Sequence, residues 1–113
     1  MPRPKKCRKV CCMPINNEFY PAEGNKQIVT LTVDEYETIR LIDQKGFSQE
    51  ECAGFMQVSR PTVQQIYNSA RVKLANALVG GNTIRIHGGD YKVCDGKEKR
   101  CSSCHRYHHC EKN

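Results

Sequence analysis

Two groups of side chains in this 113-residue chain have the types and spacing to do chemistry. The first is Ser59, Arg60, Thr62, Gln64, Gln65, Asn68 and Arg71. Gln and Asn amides can pair bidentately with adenine, and Arg with guanine. Ser and Thr hydroxyls beside the open N–H groups of a helix start suit a phosphate oxygen. The second group is the C-terminal run Cys94-x6-Cys101-x2-Cys104-x5-Cys110, with His105, His108 and His109 inside it. A Cys-x2-Cys pair can turn two thiolates toward one metal, and two further cysteines complete a four-sulfur set. Such a set suits tetrahedral zinc or an iron–sulfur cluster, and the spacing leaves both open. Lys97, Lys99, Arg100 and Arg106 would lower the thiol pKa values. A reduced, solvated tail without metal is the plain alternative. Cys7, Cys11 and Cys12 could be further ligands. Their simpler reading makes Cys11 and Cys12 strand residues and Cys7 a solvent-side thiol, while Cys52 belongs to the core.

The elements that must hold the first group are written into residues 32–79. Thr32-Val-Asp-Glu35 and Ser48-Gln-Glu-Glu51 both have the capping-box form, a hydroxyl followed three residues later by a carboxylate. Val33, Tyr36, Ile39, Leu41 and Ile42 give the first helix its apolar side, and Gly46 can end it in a left-handed conformation. A short second helix turns Cys52, Ala53, Phe55 and Met56 inward, with Val58 in the following turn. Ser59 is a third N-cap, and Pro61 falls in the first turn, where a missing N–H costs little. The third helix is predicted to run to about Leu78. Its apolar stripe is Val63, Ile66, Tyr67, Ala70, Leu74, Ala77 and Leu78. At about 100° per residue, Gln65 and Asn68 face away from that stripe, and Gln64 and Arg71 flank it. A short helix, a tight turn and a second helix with polar side chains near its start are the parts of a helix-turn-helix. An ordinary helical bundle with a polar face has the same periodicity.

Around this segment, Lys9–Ile15, Gln27–Leu31 and Thr83–His87 read as short strands. The expected organisation is a basic arm with strands (1–31), the helix-turn-helix (32–79), a Gly-rich turn and strand (80–91) and a Cys/His-rich metal-binding tail (92–113). The fold class is mainly α: a three-helix core flanked by short β-strands and a Cys-rich C-terminal tail.

The net charge is +6. Arg3, Lys5, Lys6, Arg8 and Lys9 crowd the first nine residues with no acid among them. The helical segment is slightly acidic, Asp34, Glu35, Glu37, Asp43, Glu50 and Glu51 outnumbering Arg40, Lys45, Arg60, Arg71 and Lys73. The arm is therefore the expected phosphate contact, and Arg3, Lys5 and Lys6 are its candidate residues. No apolar run is long enough for a membrane span or a signal peptide, so a cytoplasmic location with reduced thiols is expected. No Gly-rich phosphate loop and no Ser/His/Asp grouping appears, so no enzyme is expected.

Leu31-Thr32, Ser48-Gln-Glu-Glu51, Val58-Ser-Arg-Pro-Thr-Val63, Ser69-Ala-Arg71 and Leu74 resemble the fourth region of bacterial sigma factors. That region reads a promoter element through a helix-turn-helix. With the opening Met1-Pro-Arg-Pro-Lys-Lys-Cys-Arg-Lys-Val10 and the later Ile84-Arg-Ile-His-Gly-Gly-Asp-Tyr91, the chain resembles a small prokaryotic family, domain of unknown function 134. Its members are described as predicted DNA-binding proteins. The resemblance implies a sequence-specific regulator that binds double-stranded DNA. A sigma factor proper is not implied, because the chain has no room for a promoter-melting region. A homodimer reading two half-sites would fit, and RNA polymerase or an anti-sigma protein is the alternative partner. Two departures stand out. Gln57 occupies the turn position usually given to Gly, where a left-handed conformation costs about 1 kcal/mol. Gly54 lies inside the short second helix, at a similar cost of about 1 kcal/mol relative to Ala.

Overall fold

The computed structural model describes residues 8–23 and 27–94. The chain runs β1 (Arg8–Val10), β2 (Glu18–Phe19), β3 (Ile28–Leu31), α1 (Val33–Thr38), α2 (Gln49–Met56), α3 (Arg60–Gly80), β4 (Thr83–Ile86) and β5 (Tyr91–Val93). A π-helical stretch, Ile39–Gln44, continues α1. Three helices with short strands are as the sequence pattern leads one to expect.

The strand pairings organise everything else. β3 and β4 are parallel neighbours, Ile28 opposite Thr83 through to Leu31 opposite Ile86. Parallel neighbours need a long crossover, and here the whole helical segment is that crossover. β2 adds to the far side of β4, antiparallel, giving the order β2-β4-β3. β1 and β5 form a separate parallel pair in which Val10 lies opposite Val93. The residues after β1 and those after β5 therefore leave the same end of that pair.

The helix starts follow the local chemistry. At Thr32 the Glu35 N–H donates to Thr32 Oγ1 (3.3 Å) while the Thr32 N–H donates to Glu35 Oε1 (2.9 Å). Ser48 and Glu51 repeat the exchange at 3.0 and 2.8 Å. Ser59 caps α3 by accepting from the Thr62 N–H, with Pro61 in the first turn. Each cap satisfies helix-end donors that would otherwise lack partners. Gly46 and Gly81 both take positive φ, as the helix stops require.

Two apolar clusters share α3. Val10, Leu31, Val33, Ala70 and Ile86 join the sheet to α1 and the middle of α3. Leu41, Cys52, Ala53, Met56 and Val63 join the π-helical stretch, α2 and the start of α3. Cys52 lies in this second cluster as expected, and burial pushes its thiol pKa up to about 12, so it remains an inert protonated thiol.

Four expectations are corrected. Leu78 is not part of the buried stripe but 83% exposed, although its neighbour Ala77 in the same turn is buried: at the edge of the stripe it turns away from the surface that covers Ala77. The first strand ends at Val10, so Cys11 and Cys12 lie in the bend after it rather than in the strand. The first helix is not α-helical up to Gly46. The Lys45 N–H reaches the Arg40 carbonyl five residues back, and the wider turn lets the adjacent Leu41 and Ile42 both pack into the second cluster. β2 and β5 were not anticipated, being too short to show an alternating pattern.

Gln57 does take the left-handed conformation, with φ 61° and ψ 44°. Gln57→Gly should therefore stabilise the fold by about 1 kcal/mol. A Cβ added to Gly54 would meet nothing within 4 Å, so Gly54→Ala should add roughly 0.5–1 kcal/mol. Urea unfolding of each variant checks this. An unchanged or lowered midpoint would show that the turn gains from neither change.

Candidate nucleic-acid interface

Packing decides which face of α3 meets solvent. Val63, Ile66, Ala70 and Ala77 are buried on one side. Arg60, Gln64, Gln65, Asn68 and Arg71 are exposed on the other, with Ser59 exposed at the start and Thr62 half-buried. All seven helix residues singled out in the sequence thus fall within one segment of α3 and its cap. Helix α2 is joined to this face by the turn Gln57–Ser59.

The seven are not equivalent. Ser59 Oγ and Thr62 Oγ1 lie 2.8 Å apart and share a hydrogen bond at the helix start. Arg71 is committed within the protein. It donates to Tyr67 Oη (2.6 Å) and to Asp43 Oδ1 (3.2 Å), and the Tyr67 hydroxyl donates to the same Asp43 oxygen (2.7 Å). Burial and the bond to Asp43 raise the Tyr67 pKa, keeping the phenol protonated as a donor. The triad fastens α3 to the π-helical stretch. Arg71 is 57% exposed at its side chain, so part of the guanidinium still faces outward.

A second clasp lies further along α3. Ser69 Oγ donates to Glu35 Oε2 (2.6 Å) and Lys73 Nζ to Glu35 Oε1 (2.8 Å). Neither clasp was anticipated, since each joins residues 24 or more positions apart. With Arg71 set against Asp43, Arg60 is the remaining charge of the face, and the face itself is nearly neutral.

The basic run divides in two. Arg8 Nη1 bridges Asp34 (3.4 Å) and Asp90 (3.3 Å). Lys9 is buried with its ammonium 5.0 Å from the Phe55 ring centre, a cation–π contact with α2. These two charges belong to the body of the fold. Arg3, Lys5 and Lys6 lie outside the described residues, as do Cys7, Cys101, Cys104 and Cys110. Of the expected tail ligands only Cys94 is described; its N–H donates to the Val10 carbonyl at 2.7 Å. Among the described residues no three His, Cys, Asp or Glu side chains are grouped closely enough to hold a metal ion by themselves. No helix among the described residues is long and apolar enough to cross a membrane.

The family model described as "Protein of unknown function DUF134" matches residues 1–94. The chain belongs to the DUF134 family. A UPF0251 protein of Desulfitobacterium hafniense is 57% identical over 104 residues, covering 89% of this chain and 83% of that protein. A UPF0251 protein of Thermoanaerobacter pseudethanolicus is 50% identical over 102 residues, covering 88% and 86%. One from Caldicellulosiruptor saccharolyticus is 47% identical over 118 residues, covering 93% and 85%. No solved structure matches the chain. For this DUF134 chain the family match extends over the β1–β5 pair, the three-stranded sheet and all three helices, and it stops at Cys94.

Proposed function

We propose that this protein reads double-stranded DNA as a transcriptional regulator, with α2 and α3 acting as a helix-turn-helix similar to sigma-factor region four. The observation that carries this is the solvent face of α3. Arg60, Gln64, Gln65 and Asn68 stand exposed on the half of the helix nearest its N-terminus, while the reverse side is locked in the core. A major groove admits one such helix, and its base edges are read by amides and guanidinium groups. The two clasps around Asp43 and Glu35 hold that face at a fixed angle to the rest of the molecule. Ser59 and Thr62 at the helix start serve a phosphate.

In this reading the face supplies selectivity, and the arm residues Arg3, Lys5 and Lys6 supply attraction to phosphates. The test is selection of bound duplexes from a random pool, followed by titration of the recovered site. Gln65→Ala and Asn68→Ala should each cost about 1–3 kcal/mol on the selected site and relax its preference. Replacing Arg3, Lys5 and Lys6 together should weaken binding to all duplexes and lower the salt slope by about one per charge removed. Recovery of no sequence would overturn the reading and leave an RNA polymerase or anti-sigma contact through the same face. Selective binding indifferent to Gln65 and Asn68 would overturn the assignment of α3.

A further inference from the structure

The free edges of the two sheets are not alike. In the β1–β5 pair, Arg8, Lys9 and Lys92 put charge on both strands. β2, at one edge of the three-stranded sheet, has only two residues and carries Glu18. β3, at the other edge, runs for four residues, Ile28-Val-Thr-Leu31, with no charge, proline or glycine among them. Natural edge strands are ordinarily short, charged or interrupted, because a bare edge is a template for another strand.

The ladder shows which groups of β3 are open. The Thr83 N–H donates to the Gln27 carbonyl at 3.0 Å, and the His87 N–H to the Leu31 carbonyl at 2.9 Å. Alternate residues of a strand turn their backbone groups to the same side, so Gln27, Val29 and Leu31 face β4. The N–H and C=O groups of Ile28 and Thr30 therefore point away from β4. β3 has no second neighbouring strand among the described residues. Ile28 and Thr30 are also exposed.

We propose that this edge pairs with β3 of a second copy of the chain, antiparallel about a two-fold axis at Val29. Ile28 then lies opposite the partner's Thr30, and Thr30 opposite the partner's Ile28. Each of these pairs exchanges both backbone bonds, four in all. An axis at Ile28 or Thr30 would leave only one such pair within the strands. Val29 meets the partner's Val29 at a non-hydrogen-bonded position, where Cα atoms stand about 4.5 Å apart and β-branched side chains pack together. The joined sheet has the order β2-β4-β3-β3-β4-β2, and its outer edges are the short, charged β2 strands. The contact is isologous, so it closes at two copies.

The occupant follows from the sequence. Residues 1–7, 24–26 and 95–113 contain no Val, Ile or Thr, so none of them supplies a comparable strand to cover the edge. β3 itself is uncharged and β-branched, and it matches its own copy in length and pattern. The strand pair is small beside a standard interface, so a reversible, concentration-dependent dimer is expected. The inference stands independently of what α3 binds.

The test is sedimentation equilibrium of the full-length protein over a concentration series, under reducing conditions. Wild type should show monomer and dimer in exchange. Thr30→Pro removes an outward N–H that the sheet within one copy does not use, and should leave monomer while keeping the helical circular dichroism. If Thr30→Pro disturbs the fold, Ile28→Lys puts a charge on the exposed edge instead and should likewise leave monomer. Val29→Cys, mildly oxidised, should yield a disulfide joining the two substituted positions across the axis, found by mass spectrometry of the linked peptides. A wild-type protein that stays monomeric up to about 1 mM would overturn the proposal. So would a dimer that both edge variants leave intact, a dimer in which Val29→Cys forms no such link, or growth beyond two copies.

Discussion

Replacing Glu37 with alanine should lower stability by about 3–5 kcal/mol, a large share of the 5–15 kcal/mol typical of a domain. The Glu37 side chain is fully buried. Its two oxygens accept from Arg40 Nε (2.9 Å) and Nη2 (2.8 Å), and one of them also accepts from the Cys11 N–H (3.0 Å). Truncation would take this carboxylate from the Arg40 guanidinium, itself mostly buried, and from the Cys11 N–H. The penalty arises from what is left behind more than from the attraction removed. That distinction is testable. Glu37→Met combined with Arg40→Met should recover most of the loss, since a buried ion pair replaced by apolar side chains is often near neutral. Urea unfolding of the two single variants and the pair gives the coupling energy. A loss below about 1 kcal/mol in Glu37→Ala would mean that water reaches the guanidinium and that the pair is not holding β1 to α1.

Glu37 also marks where sequence reasoning stops. Its helical position is plain from the pattern, but it falls within a helix that reads as amphipathic, and a Glu on such a helix is ordinarily solvated. Its burial follows from β1 crossing over it, and that crossing depends on a pairing between residues 8–10 and 91–93. Nothing local in Arg8-Lys-Val10 or Tyr91-Lys-Val93 announces a partner more than 80 positions away. The caps at Thr32, Ser48 and Ser59 were legible because each is complete within four residues. The exposed face of α3 was legible because its buried side repeats at three and four. Leu78 fits that repeat and is nonetheless exposed beside the buried Ala77, since periodicity gives a direction but not the width of the surface that covers it. The packing of Cys12 and Cys94 around Cys11 was hidden for the same reason as Glu37: the parallel strand pair assembles it.

These long-range contacts explain how the exposed face of α3 is held still. α3 is fixed at two points beyond its apolar packing. On one side Arg71 and Tyr67 meet Asp43 of the π-helical stretch. On another, Ser69 and Lys73 meet Glu35 of α1. The first clasp is exposed, so its contribution to stability is small and its value is in orientation. The second is mostly buried and should carry a measurable share of the folding energy.

Stability should therefore fall in acid as Glu35 protonates, and Glu35→Gln should remove part of that dependence. Burial pushes the Glu35 carboxyl pKa up, but hydrogen bonds from Lys73, Ser69 and the Thr32 N–H, with the Lys73 charge, outweigh it and hold the value below normal. A depressed pKa means that, near the normal carboxylate range, the unfolded chain binds more protons than the folded one. The stabilisation is thus complete above the unfolded value of about 4.3 and is lost as pH falls through the lower folded value. At neutral pH, Glu35→Gln should cost about 2 kcal/mol, the scale of hydrogen bonds to a charged group. The wild-type and Glu35→Gln curves of unfolding free energy against pH should then converge below the folded pKa. Lys73→Met should move the acid loss to higher pH, because it removes the strongest lowering influence while leaving Ser69 and Thr32 in place. Curves that stay parallel down to the acid limit would show that Glu35 is as well accommodated in the unfolded chain. The tie between α1 and α3 would then rest on Val33, Ala70 and their apolar neighbours alone.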